Sequence, residues 1–479
     1  MRRRACTIIA AIIMILLAGC TVRPKYARPS VPTAPMDAFK EMDGWKTADP
    51  SDQLQRGAWW EIFGDEQLNA LETQLTISNQ DLKVAEARFQ QARAMIRFNR
   101  ASQFPTISTA PGIASIHDSA NRPYFKTTST TGDFVLPFDL SYELDVWGRV
   151  RRTVAASREE AQATAADLET LSLSLHAELA FDYFELRSAD AQKQLLDDTV
   201  KAYQDALQLT TNRFEGGAAP KSDVAQARTQ LETTMVEDTD VSVARAQFEN
   251  AIAILIGRPP AAFTLTPSPL QVEPPAISVG LPSQLLERRP DIAAAERRVA
   301  ESNEQIGIAR AAFFPTIVLS ASAGFEGNSI TNWFNWPSRF WAVGPSALET
   351  LFDAGRRRAT SQATLANYDA TVAGYRETTL TALQQVEDNL AALRILDQEA
   401  QQQKDATASA QESLQVFTAR YIGGADPYLQ VLTAQTIGLQ NERNDVDIRR
   451  RRMDASVLLI KALGGGWNAS QLPKAAQLR

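Results

Sequence analysis

The chain has 479 residues, 44% of them apolar, and a formal net charge of −7. That acidic balance argues against nucleic acid as a partner, because a phosphate backbone is met by a basic footprint. Cysteine and histidine number two each, and neither His117 nor His176 has a ligand set or a triad around it, so the sequence offers no catalytic and no metal site.

The first residues set the compartment. Arg2, Arg3 and Arg4 precede a largely apolar run, Thr7 to Ala18, that is too short to span a bilayer at ~20 residues. The pattern predicts a signal peptide over 1–19. Its end, Leu17-Ala18-Gly19-Cys20, resembles the bacterial lipobox. The resemblance implies cleavage before Cys20 and acylation of its thiol, palmitate included, which makes a covalent lipid the only cofactor expected. Thr21 stands where lipoproteins held back from sorting carry Asp, which implies the outer membrane. One lipid anchors weakly, so stable attachment needs further chains or buried protein. Cleavage removes Cys6 and leaves a single cysteine, which excludes an internal disulfide. Residues 20–58, with Pro24, Pro29, Pro32 and Pro35, read as a tether.

The rest of the chain is written twice. Phe104-Pro105-Thr106-Ile107 recurs as Phe314-Pro315-Thr316-Ile317. From Gly148 onward the matches keep one offset of 207 residues: Gly148 to Gly355, Gly216 to Gly423, Gly257 to Gly464. A constant offset over so long a stretch marks a tandem duplication. The first repeat covers 59–257 and the second 291–464. A proline-rich connector, 258–290, separates them, and a tail follows at 465–479.

In the first repeat, Asp65 to Gln103 predicts a helical arm, and Thr106 to Ser115 a weak strand interrupted by Pro111. Phe138, Leu140, Tyr142, Leu144 and Val146 then alternate with Asp139, Ser141, Glu143 and Asp145, a strand with one polar face. Residues 149–215 contain neither Pro nor Gly and predict a helix roughly 100 Å long, far beyond an ordinary globular helix. Leu168, Leu171, Leu175, Leu179, Tyr183 and Leu186 form one apolar seam on it, and Leu173, Ala177, Ala180 and Phe184 a second. Two seams suit a helix with a neighbour on each side, as in a ring of helices. A return limb, 221–256, follows a turn containing Gly216, Gly217 and Pro220.

The second repeat repeats this order. Its arm runs Asp291 to Phe313, and its strands are Ile317 to Glu326 and a weaker Trp341 to Leu351 interrupted by Pro345. Its long helix is 356–422, its turn contains Gly423, Gly424 and Pro427, and its return limb is 428–463. Two strands per repeat give four per chain, whereas a closed membrane barrel needs at least ~8 so that no edge faces lipid. Three copies, with twelve strands, are the smaller number that leaves an aqueous channel, since an eight-stranded barrel fills with its own side chains. The fold class is therefore an α+β membrane protein, internally duplicated, with a long α-helical barrel and a transmembrane β-barrel completed by association.

Tyr142-Glu143-Leu144-Asp145-Val146-Trp147-Gly148-Arg149 resembles the signature of TolC-like outer-membrane factors that serve resistance-nodulation-division pumps. So does Leu281 to Ile292, continuing to Ala311-Ala312-Phe313-Phe314-Pro315-Thr316-Ile317, and so does the tip, Arg420 to Gln435. The branch is similar to the OprM/NodT lipoproteins. The resemblance implies a homotrimer that joins a periplasmic adaptor and an inner-membrane transporter, a passive efflux conduit and not an enzyme. It also implies a gate where the helix pairs turn, Phe214 to Asp223 and Tyr421 to Thr433. There Leu429 matches an apolar constriction, Asp426 a nearby acidic ring, and Asp223 an acidic residue of the other turn. Gln430 and Thr433 depart from the family, which often has Asp at those positions, and this weakens the expectation of cation binding at the tip. An outer channel for type I protein secretion is the alternative within the class, and a periplasmic adaptor lipoprotein the alternative outside it. The lipobox and Trp147-Gly148-Arg149 favour small-molecule efflux, and the duplicated strand pairs do not fit an adaptor.

Overall fold

A computed structural model describes residues 26–31, 39–41, 57–121, 130–270, 272–275, 277, 285–474 and 476–478. The signal peptide, Cys20, Thr21 and most of the expected tether lie outside the described residues, as do parts of the connector.

Two helices form the first arm, not one. Helix α1 (Glu66–Ser78) and α2 (Gln80–Ala101) meet at Asn79. The Asn79 amide closes α1 on Leu75 O at 3.0 Å, while its side-chain oxygen accepts from Leu82 N at 3.0 Å and so caps α2. Its amide nitrogen donates to Leu255 O at 2.8 Å, which ties the bend to the end of the return limb. Gly257 completes that contact with φ +69°, and a Cβ there would lie 2.6 Å from Ser78 O, so only glycine fits.

The long helices α3 (Arg149–Glu215) and α6 (Arg356–Ile422) and the return limbs α4 (Lys221–Leu255) and α7 (Tyr428–Ala462) end at the glycines and prolines read from the sequence. The second arm, α5 (Pro290–Ala311), starts with proline in its first turn, where no amide is needed. No described helix is long and apolar enough to cross a membrane.

The strands are β1 (Thr106–Thr109), β2 (Gly112–His117), β3 (Thr130–Glu143), β4 (Thr316–Gly327) and β5 (Arg339–Leu348). They form one antiparallel sheet, with β1 and β2 along one side of β3, then β4, then β5. Pro111 breaks the first strand without a change of register: Thr109 faces Phe138 and Gly112 faces Val135. Pro345 does not interrupt β5. It faces Leu319 on the outer strand of the sheet, where a missing amide donor has no ladder to break.

The register sorts the sheet into two faces. Ile107, Phe138, Leu140, Leu319, Trp341 and Val343 share one, and Ser108, Asp139, Ser141, Ser320, Ser322 and Ser346 the other. Phe138, Ile107, Trp341 and Val343 are at least half exposed, so a largely apolar face lies bare. Among the described residues β1 and β5 have a partner on one side only, which leaves both sheet edges open.

The family-like motif around Trp147 joins this sheet to the helices. The Trp147 indole donates to Pro315 O at 2.8 Å and stacks on Phe314 with centroids 4.7 Å apart, which links the two repeats at the strand–helix junction. The Asp145 carboxylate accepts from Val150 N and Arg151 N, both at 2.9 Å, and caps α3 where Gly148 provides no side chain.

Midway along the helices lies the main core. Trp59, Trp60, Phe63, Leu68 and Leu75 pack against Leu175, Leu179, Tyr183 and Phe184 of α3, and the core continues through Ile292, Tyr375, Val386 and Leu459. The two expected seams of α3 merge here into one broad buried arc, because an outer shell covers the helix as well as its flanking neighbours. His176 lies in it, with Nδ1 2.5 Å from Glu72 Oε2 and its ring stacked 4.4 Å from Trp60. His117, by contrast, is exposed at the far end of β2, 2.8 Å from Thr130 Oγ1.

The described parts of the tether are bound to the helix wall. Arg28 Nε donates to Tyr375 OH at 3.2 Å and Arg376 Nε to Ser30 O at 3.2 Å. Further along, the amides of Lys40 and Glu41 donate to the Glu387 carboxylate at 2.7 and 3.0 Å, and Arg394 pairs with Glu41 at 2.7 Å.

Candidate gate at the helix turns

Both hairpins close with the same backbone device. In the first, Gly217 N donates to Phe214 O and Ala218 N to Arg213 O; in the second, Gly424 N donates to Tyr421 O and Ala425 N to Arg420 O. Gly217 and Gly424 have φ +77° and +74°, the left-handed conformation that such a helix stop requires. Pro220 and Pro427 then start the return limbs with extended backbone.

The side chains break the symmetry. Asp426 stands where the first turn has Ala219. Its carboxylate accepts Arg420 Nε at 2.6 Å and Nη2 at 3.0 Å, a two-pronged pair within one turn. The Arg420 hydrogen bonds hold the Asp426 carboxyl below the usual carboxylate range. Arg213, the counterpart of Arg420, meets no acid at Ala219 and crosses to the other turn. Its Nη1 donates to Ile422 O at 2.9 Å, and its guanidinium carbon lies 4.8 Å from the Tyr421 ring centroid.

Tyr421 is 3% exposed and meets Tyr428 edge-on, with centroids 5.3 Å apart. These rings join Ala227 of α4 and Val431 of α7 in a small apolar cluster that holds the two hairpins together near the tip. Burial raises the hydroxyl pKa of both tyrosines, Tyr428 to about 12. Leu429 points away from this cluster and is 52% exposed. Gln430 is exposed in the same first turn and Thr433 in the next, where Thr433 Oγ1 donates to Leu429 O at 2.8 Å. Asp223 is half-buried at the start of α4, close enough for its charge to act on Tyr421 and Tyr428.

The residues singled out from the sequence thus divide. Asp426, Leu429 and Gln430 share one turn, Asp223 sits on the other, and the bridge between the turns is Arg213, which sequence reasoning missed. A signal for it existed in the repeat register: the arginine is present in both halves and its acid in only one. A shallow groove of about 390 Å³ opens beside the second turn, lined by Ala410, Ser413 and Phe417 of α6 and Gln430, Ala434 and Ile437 of α7. Among the described residues no three His, Cys, Asp or Glu side chains group so as to hold a metal ion.

Comparison with known proteins places this architecture. The family described as outer membrane efflux protein matches residues 71–258 and 281–465. The toluene efflux pump outer membrane protein TtgF of Pseudomonas putida is 32% identical over 476 residues, covering 97% of this chain and 98% of its own. The cation efflux system protein CusC of Escherichia coli K12 is 30% identical, covering 96% and 99%. The solved structure of the outer-membrane channel OprN superimposes with a TM-score of 0.88 at 29% identity, covering 94% of this chain and all of that one.

Proposed function

Because the chain belongs to the outer membrane efflux protein family, we propose that three copies form the exit duct of a tripartite pump, closed at the periplasmic tip by the two helix turns. The observation that carries this reading is the open sheet, largely apolar on one face and hydroxyl-bearing or acidic on the other, with both edges unpaired among the described residues. Backbone groups at a sheet edge cannot face lipid unsatisfied, so the chain must meet further copies, and twelve strands leave a wet lumen. The helices offer matching seams: α2 buries only Ile96, and α6 from Arg356 to Gly374 is largely exposed.

Cys20 carries the lipid in this reading, and residues 28–30 and 40–41 of the tether lie against α6. An adaptor docks in the groove beside the second turn and presents the inner-membrane transporter's cargo. The duct itself performs no chemistry. Leu429 of each copy projects toward the axis as an apolar constriction, Asp426 stays paired with Arg420, and Arg213 keeps the hairpins from separating. Relatives of similar identity are named for toluene and for cations, which supports cargo selection upstream of this chain.

The test is accumulation of a dye, several drugs and a metal ion in cells with and without the gene, alongside crosslinking of the purified protein. A crosslinked trimer, and accumulation that rises on deletion and is reversed by the wild-type chain, is the expected outcome. A monomer in detergent, with no conductance in a bilayer, would sink the channel reading.

A further inference from the structure

The β4–β5 connection lies at the end of the sheet remote from the helices, and it is a folded object. Ser338 Oγ donates to Asn332 O at 2.6 Å, and the amides of Asn332, Asn335 and Ser338 close successive turns on Ser329, Asn332 and Asn335. Its aromatic residues fold onto the apolar face of the sheet. Trp333 packs on Phe134 with centroids 5.6 Å apart, Phe334 on Phe325 at 5.8 Å, and the two loop rings stack at 4.8 Å. Trp336 is 72% exposed at the rim of this shelf.

The rim carries charge of both signs, and Asp133, Glu326 and Arg339 all border one cavity there. Glu326 faces Val135, and Asp133 faces Ala114, on the polar side. Arg339 faces Phe325, and the residue two places on, Trp341, faces Ala323, so Arg339 belongs to the apolar side. Among the described residues it is the only Asp, Glu, Lys or Arg on that face, and no carboxylate pairs with it. Its guanidinium carbon sits 3.4 Å from the Trp336 ring centroid. A cation stacked on one exposed indole and two residues from another, at the outer end of a lipid-facing surface, is complementary to a phosphate at the headgroup level.

We propose that Arg339, Trp336 and Trp341 form a binding site for the phosphate-bearing headgroup of an anionic lipid in the outer leaflet. Arg339 makes charge-assisted hydrogen bonds to the phosphate, and the two indoles flank it at the boundary between headgroup and acyl chains. The site continues the lipid-facing surface upward, which fits a bilayer lipid better than a soluble anion.

The experiment uses the full-length protein in non-ionic detergent, with lipid binding read by native mass spectrometry. The probes are bisphosphorylated lipid A, the same lipid with both phosphates removed, and phosphatidylcholine. Wild-type protein should retain bisphosphorylated lipid A at least tenfold more tightly than the dephosphorylated form, and Arg339→Gln should abolish the difference. Trp336→Leu, which removes the stack but not the charge, should reduce it severalfold and serves if Arg339→Gln does not fold. Equal binding of both lipid A forms by the wild type, or an undiminished preference in Arg339→Gln, overturns the site. Displacement of lipid A by millimolar inorganic phosphate would overturn its assignment to a lipid. A sheet that does not face lipid at all would bind none of the three probes, so failure of the membrane reading is distinguishable from failure of this one.

Discussion

Replacing Arg213 by Ala tests the gate most directly. The change removes the bond to Ile422 O and the stacking on Tyr421. A charge-assisted hydrogen bond contributes ~1.5–3 kcal/mol when buried, and this one is exposed, so its share is about 1 kcal/mol. The stacked guanidinium adds ~0.5–1 kcal/mol. In the proposed gate they would together stabilise the closed tip by about 2 kcal/mol per chain, roughly a 30-fold shift in the closed-to-open ratio for each copy. Single-channel recording in planar bilayers measures that ratio as open probability. The contrast with Asp426→Ala sharpens the assay. That change frees Arg420, but the lost pair lies within one turn and links no hairpin to another, so open probability should stay near the wild-type value. If Arg213→Ala left open probability unchanged, or if Asp426→Ala opened the channel as much, the bridge between turns would not be what keeps the tip shut.

Leu429→Ala should raise single-channel conductance and admit bulky antibiotics that intact cells exclude; an unchanged closed state would remove Leu429 from the constriction. Asn79→Ala loses a helix cap and the bond to Leu255 O, and should lower stability by ~1–3 kcal/mol, read as an earlier thermal transition with conductance retained. The buried Glu72–His176 pair predicts a pH optimum of stability. Burial raises the Glu72 pKa well above its usual 4.5 and lowers that of His176 from 6.5 to about 4, so the folded pair holds one proton on Glu72. Between pH 4.5 and 6.5 the unfolded pair also holds one proton, so folding is insensitive to pH there. Above 6.5 the unfolded pair holds none, and stability falls as pH rises toward the folded pKa of Glu72. Below 4.5 the unfolded pair gains a second proton, and stability falls again as pH drops through about 4. Glu72→Gln should abolish this alkaline fall, read in thermal scans upward from pH 6.5.

What could be read in the sequence follows from how far each feature depends on distant chain. The 67-residue helices end where Gly148, Gly216, Gly355 and Gly423 place them, because helix stops are local chemistry. The sheet faces were legible for the same reason, since alternation needs only the strand itself. The bend at Asn79 was not: its side chain is held by Leu255, 176 residues away. Pro345 looked like an interruption because the sequence does not say that β5 is the outermost strand of the chain's own sheet. The pairing of His176 with Glu72 was not legible either, because α1 contributes Glu72 from another part of the fold.

The gate lies between these cases, and the duplication explains why. Both repeats keep the glycine pair, the proline and the arginine, so the two turns are backbone copies of one another. In the second, Asp426 satisfies the arginine on the spot. In the first, Ala219 offers the arginine no such acid, and it donates instead to the carbonyl end of its sister helix at Ile422. A carboxylate restored by Ala219→Asp should therefore draw Arg213 back into its own turn. The variant would keep every candidate gate residue and still open more often, as is expected of Arg213→Ala. A closed tip in Ala219→Asp, with Arg213 still bound across the turns, would mean that the bridge is held by the Tyr421 stack and not released by the missing acid.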